Sequence, residues 1–147
     1  MSIALLPGLP VPVSLLPLVL PLAEYTVRCG FPSPADDFNC KRVDLTEQLV
    51  QHPQATFLVK VRGDSMKEAG IFDGDVLVVD RAIRAAQGHI VVAVLDGGEF
   101  TVKYLQRRAG HIRLVAANPT YPDIVPREGQ TLEVWGVVTA SIKQFRR

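Results

Sequence analysis

The 147-residue sequence has only two cysteines, Cys29 and Cys40, with ten residues between them and no second pair. Such a pair makes neither a disulfide framework nor a zinc pattern, and it fits a reducing compartment, so a cytoplasmic location is expected. Histidine is scarce too. His52, His89 and His111 lack the spacing that brings two imidazoles onto one ion, so a metal hydrolase is not expected, nor is any cofactor. A charge excess is also missing: sixteen Lys and Arg stand against fifteen Asp and Glu, for a net charge of +1. That balance argues against a broad polyanion-binding face and against direct sequence-specific DNA binding. No helix-turn-helix can be drawn, no repeat is visible, and the length suits one folded unit with one tail.

The first 23 residues, MSIALLPGLPVPVSLLPLVLPLA, contain no charge at all and have the hydropathy of a membrane span. Prolines at 7, 10, 12, 17 and 21 argue against that, because each removes a backbone donor and clashes with the preceding helical turn. No basic region precedes the apolar stretch, so a signal peptide is not expected either, and no membrane association is assigned. The stretch reads as an extended apolar arm, either a loose tail or one docked on another surface. Beyond it, CGFPSPADDFNCK reads as an exposed, protease-accessible linker. Residues 1–42 are therefore assigned to arm and linker and residues 43–147 to a folded domain.

What the sequence does have is strand signal. ATFLVKVR, DVLVVD, HIVVAVLD, EFTVKYLQ, HIRLVAA and TLEVWGVVTASIK are rich in β-branched and aromatic residues and are separated by Gly, Asp, Asn and Pro clusters. LDGGEF joins two of these runs as a hairpin, since Asp-Gly and Gly-Gly supply the positive φ of primed turns. One short helix is expected in DLTEQLVQHP, with Asp44 as cap, Glu47 three residues on, Leu45 and Leu49 on one side and a proline stop. The fold class is mainly β: a curved, partly closed antiparallel β-domain with one short helix and an extended N-terminal arm.

Two residues invite a chemical reading. Ser65 stands in GDSM, where Gly63, Asp64 and Ser65 are all turn formers at the end of a strand. Lys103 lies within FTVKYL, and the two-residue period of a strand puts it on one face with Thr101 and Leu105, opposite Phe100, Val102 and Tyr104. Taken singly, Ser65 is an ordinary turn residue and Lys103 a solvated lysine on the outside of a hairpin.

Taken together, VRGDSMKEAGIFDGDVLVVDRA and GGEFTVKYL resemble the LexA and UmuD family of serine-lysine self-cleaving peptidases. CGFPSPADDF resembles the cleavage region of the UmuD branch and QHPQATFLVKVRGDSM the entry to its catalytic domain, and the likeness includes VWGVV near the end. The resemblance implies a β-domain of the LexA/UmuD C-terminal type that cuts its own Cys29–Gly30 bond. Ser65 would be the nucleophile and Lys103 the general base, with Gly63, Asp64 and Met66 supporting the turn. It also implies a homodimer, stimulation by the RecA filament on single-stranded DNA, and a trimmed product that joins a UmuC-like Y-family polymerase in the SOS response. Two features depart from the pattern: the apolar, proline-rich arm and one extra glycine in DGGEF, which a bulge absorbs without moving Lys103 off its face.

The chemistry sets one requirement. A lysine is a base only when neutral, and a reference pKa of about 10.4 leaves well under one per cent unprotonated at neutral pH. Burial must lower it, and the apolar neighbours of Lys103 supply that setting once the cleavage segment docks and excludes water. Three rivals are set beside this reading. A LexA-type repressor needs a DNA-reading domain before the cleavage site, where only 28 residues stand. A type I signal peptidase would use the arm as an anchor, which the prolines oppose. A non-enzymatic polymerase accessory would carry an inactive pair.

Overall fold

A computed structural model describes residues 3–5, 16–23 and 40–147, with only the backbone of residues 3–5, 23 and 40. Among these residues nine strands and one α-helix follow in chain order: β1 (Ile3–Leu5), β2 (Val19–Ala23), β3 (Cys40–Asp44), α1 (Leu45–Leu49), β4 (Thr56–Val61), β5 (Val76–Asp80), β6 (Ile90–Leu95), β7 (Phe100–Arg108), β8 (His111–Val115) and β9 (Leu132–Ile142). Each of the six apolar runs singled out in the sequence forms one strand, from β4 to β9. The helix also forms where expected: Asp44 caps it, its carboxylate accepting from the Thr46 N–H at 3.0 Å.

Seven strands make one antiparallel sheet in the order β1-β4-β5-β9-β6-β7-β8, and β2 pairs with β3 in a separate two-stranded sheet. The last strand, β9, thus inserts between β5 and β6. Its pairing shifts register at Val78/Val79 on β5 and at Val92/Ala93 on β6, and such irregularities bend a strand and sharpen its twist. Both irregularities sit beside the VWGVV stretch. A Cβ on Gly136 would stand 2.6 Å from Val79 Cγ1, so only glycine lets β9 pass this close to β5. Next to it, Trp135 takes Phe57 at 5.4 Å and Phe100 at 6.0 Å between ring centroids, with the Arg81 guanidinium 4.7 Å from its centroid. At the other end of the sheet order, β1 pairs with β4 and lies against β7, so the sheet curls toward closure without becoming a barrel.

The sheet buries side chains on both faces. Along β6, Val92 joins one apolar cluster with Val59, Met66, Leu77, Val79 and Val102, while its neighbours Val91 and Ala93 join a second with Leu105, Leu114 and Val137. This is the period of two at work. The β6–β7 hairpin turns as its sequence requires, with positive φ at Asp96 and Gly97, and Gly98 absorbs the extra position.

The arm contains more structure than its prolines suggest. Residues 19–23 pair with residues 40–44 of the same chain, and the start of β2 is tied to the helix cap: the Leu18 N–H donates to Asp44 Oδ1 at 2.9 Å and the Leu45 N–H to the Leu18 carbonyl at 2.8 Å. Pro21 is tolerated there because β2 is an edge strand. Leu18, Val19, Leu20 and Leu22 remain exposed. Among the described residues no helix is long and apolar enough to cross a membrane.

Candidate active site

The site is built where β4 runs out into the GDSM turn and where β7 crosses beside it. Gly63 takes φ of 91°, a conformation that L side chains rarely adopt, and its N–H donates to Asp73 Oδ1 at 2.7 Å. The chain therefore reverses sharply before Ser65. Met66 then plunges into the core with no exposed surface, and its sulfur accepts from the Ala117 N–H at 3.4 Å. One glycine and one methionine thus fix both sides of the serine: the first bends the backbone, the second anchors it.

Lys103 comes from the middle of β7, opposite Val91 of β6. Its Nζ lies 3.0 Å from Ser65 Oγ, 2.7 Å from Thr101 Oγ1 and 3.2 Å from the Val102 carbonyl oxygen. Ser65 is 0% exposed and Lys103 2%. Among the described residues no carboxylate lies within ion-pairing distance of this amine. Burial disfavours the ammonium and pushes the Lys103 pKa below the ordinary 10.5. The sequence called for a dry setting around this amine, and the structure buries both the amine and the hydroxyl beside it.

A loop after β8 closes the far side of the turn. Asn118 Nδ2 donates to the Asp64 carbonyl at 3.0 Å, and the Tyr121 hydroxyl donates to Asp64 Oδ1 at 2.6 Å. That hydrogen bond and the charge of Asp64 raise the Tyr121 pKa above its usual value. The structure thus brings Lys103 beside Ser65 in the turn that holds Gly63, Asp64 and Met66, whereas Cys29 and Gly30 lie outside the described residues. Sequence reasoning missed Thr101, Asn118 and Tyr121. Thr101 was within reach, since it shares the Lys103 face two residues earlier; ANPTY gave only a loop signal.

This arrangement, a serine on a tight turn with a buried lysine amine at hydrogen-bond distance, is one that acyl-transfer chemistry can use. Residues 21–139 match the family described as Peptidase S24-like, and the chain belongs to that family. Its curated relatives include protein SamA of Salmonella typhimurium, 48% identical over 124 residues that cover 83% of this chain and 85% of SamA. Protein MucA of Escherichia coli is 41% identical over 124 residues, 84% of each chain. Protein ImpA of Shigella flexneri is 40% identical over 129 residues, 87% of this chain and 86% of ImpA. These relatives and the family match bear out the LexA/UmuD-type resemblance.

Proposed function

We propose that the chain is a self-cleaving serine peptidase that cuts its own Cys29–Gly30 bond, with Ser65 as nucleophile and Lys103 as general base. The observation that carries this is the 3.0 Å approach of Lys103 Nζ to Ser65 Oγ in a setting where both are buried. A neutral amine has two N–H donors and one lone pair. The donors are met by Thr101 Oγ1 and the Val102 carbonyl, which leaves the lone pair for the Ser65 hydroxyl. In the first step Ser65 Oγ attacks the Cys29 carbonyl carbon as its proton passes to Lys103 Nζ. The resulting ammonium then delivers that proton to the Gly30 nitrogen as the peptide bond breaks, leaving an ester between Ser65 and Cys29. Water, deprotonated by the again-neutral Lys103, resolves the ester. Backbone amides of the Ser65 turn hold the developing oxyanion.

Residues 1–42 serve as substrate arm and residues 43–147 as the peptidase domain. Because both belong to one chain, the local substrate concentration is on the order of millimolar, and a single turnover per molecule is sufficient. In this reading the RecA filament on single-stranded DNA favours the docked conformer and does no chemistry itself. The trimmed product, a homodimer, then joins a UmuC-like Y-family polymerase in error-prone synthesis across damaged DNA. The test is incubation of the purified chain at alkaline pH, where deprotonation of Lys103 supplies the base without a partner. A fragment beginning at Gly30, lost in Ser65→Ala and in Lys103→Ala, is the expected outcome. A fragment beginning elsewhere, or one that persists in both variants, rejects the assignment.

A further inference from the structure

The loop at residues 117–121 is fastened to the nucleophile turn at four points. The Ala117 N–H donates to Met66 Sδ, the Glu68 N–H to the Ala117 carbonyl at 2.8 Å, Asn118 Nδ2 to the Asp64 carbonyl, and the Tyr121 hydroxyl to Asp64 Oδ1. We propose that Asn118 and Tyr121 are positioning residues that aim the Ser65 N–H at the oxyanion, and this rests on the catalytic reading above.

The reason lies in the peptide plane. Asp64 C=O and Ser65 N–H belong to one planar unit and point in opposite directions, so whatever fixes the carbonyl fixes the amide. Asn118 Nδ2 holds that carbonyl at 3.0 Å, with the Lys67 N–H adding a second contact at 3.1 Å. The orientation of the Asn118 amide is itself settled. Its Oδ1 accepts from the Thr120 N–H at 3.1 Å and from Thr120 Oγ1 at 2.9 Å, which turns Nδ2 toward Asp64. Tyr121 closes the same small turn, its N–H donating to the Asn118 carbonyl at 3.1 Å, and then reaches the Asp64 side chain. Both ends of Asp64 are thereby held from one loop. Among the described residues nothing accepts from the Ser65 N–H, so that amide is free to meet a developing negative charge.

Three substitutions test this by alkaline self-cleavage. Asn118→Ala is expected to lower the plateau rate by about tenfold or more, as misplacement of a reacting group does, while the pH midpoint set by Lys103 stays put. Asn118→Asp keeps an acceptor for Thr120 but loses the donor to Asp64, so its plateau should fall like that of the alanine variant. Were Asn118 only a loop cap, Asn118→Asp would cut at the unmodified rate. Tyr121→Phe is expected to give a smaller loss, again in the plateau, in a chain whose thermal unfolding is little changed.

A second readout does not depend on cutting. In a Lys103→Ala background, the Ser65 amide resonance should move with Asn118→Ala and with Asn118→Asp. An unmoved resonance, or unchanged plateau rates in all three variants, overturns the proposal. If the unmodified chain does not cut at all, the catalytic reading falls and the oxyanion role with it, while the amide resonance still decides whether Asn118 orients the Ser65 peptide.

Discussion

Two lysines of this protein end in opposite surroundings. Lys143 Nζ meets Asp75 Oδ2 at 2.6 Å and stands 4.3 Å from the Phe72 ring centroid; Asp75 also accepts from the Phe72 N–H at 2.9 Å. Lys103 is more deeply buried, 2% exposed, and among the described residues meets only neutral oxygens. The contrast shows what separates a structural lysine from a candidate base. A carboxylate keeps the ammonium stable, whereas hydroxyls and a carbonyl without a counter-charge satisfy the N–H groups and leave the amine able to give up its proton. A buried carboxylate also needs its cation, so Lys143 supports the fold at the point where Lys103 burdens it.

The largest expected effect is on cleavage: Ser65→Ala and Lys103→Ala each lower the self-cleavage rate by about a thousandfold or more, while Lys143→Met leaves the chemistry intact, as intact-mass time courses would record. Thr101→Asp should erase the contrast by giving Lys103 the counter-charge that Lys143 has. Because Thr101 Oγ1 lies 2.7 Å from the amine, a carboxylate there favours the ammonium, and the midpoint of the alkaline rate profile is expected to rise. A midpoint that stays put would mean that dryness is not what neutralises Lys103.

Stability should sharpen the same contrast. Lys143→Met leaves Asp75, 5% exposed, without its cation and is expected to cost about 1–3 kcal/mol in denaturant unfolding. Lys103→Met should instead stabilise the fold at neutral pH. The sign follows from linkage: with the folded pKa of Lys103 lowered, the unfolded chain binds the extra proton between that value and 10.5. Wild-type stability therefore rises with pH across that window, and the advantage of Lys103→Met shrinks as pH approaches 10.5. The smallest effect concerns the tether of the arm. Asp44→Ala removes the helix cap and the contact to Leu18, for a loss of about 1 kcal/mol by thermal unfolding.

Much of this was legible in the residues, and the limits have physical causes. β-branched runs with turn formers between them mark β4 to β9, because strand propensity and turn chemistry are local. The cap at Asp44 and the hairpin at Asp96 and Gly97 are local for the same reason. The insertion of β9 between β5 and β6 depends on packing across some fifty residues of sequence, which no local pattern encodes. Pairing of β2 with β3 was hidden by Pro17 and Pro21, which forbid a helix but not an edge strand. At the site, GDSM and FTVKYL pointed to Ser65 and Lys103 through family likeness, while periodicity alone gave a solvated lysine. The face was right, but its dryness depends on neighbours brought in by the tertiary fold. Asn118 and Tyr121 reach Asp64 across 54 and 57 positions, a contact that ANPTY does not announce.

The most direct measurement is the titration of Lys103 itself, followed by NMR of its side-chain CH2 next to Nζ in the Ser65→Ala chain, which does not cut. A midpoint below 10.5 is the expected result. A Lys103 midpoint at or above 10.5 would contradict the claim that an uncharged amine stands ready beside the serine.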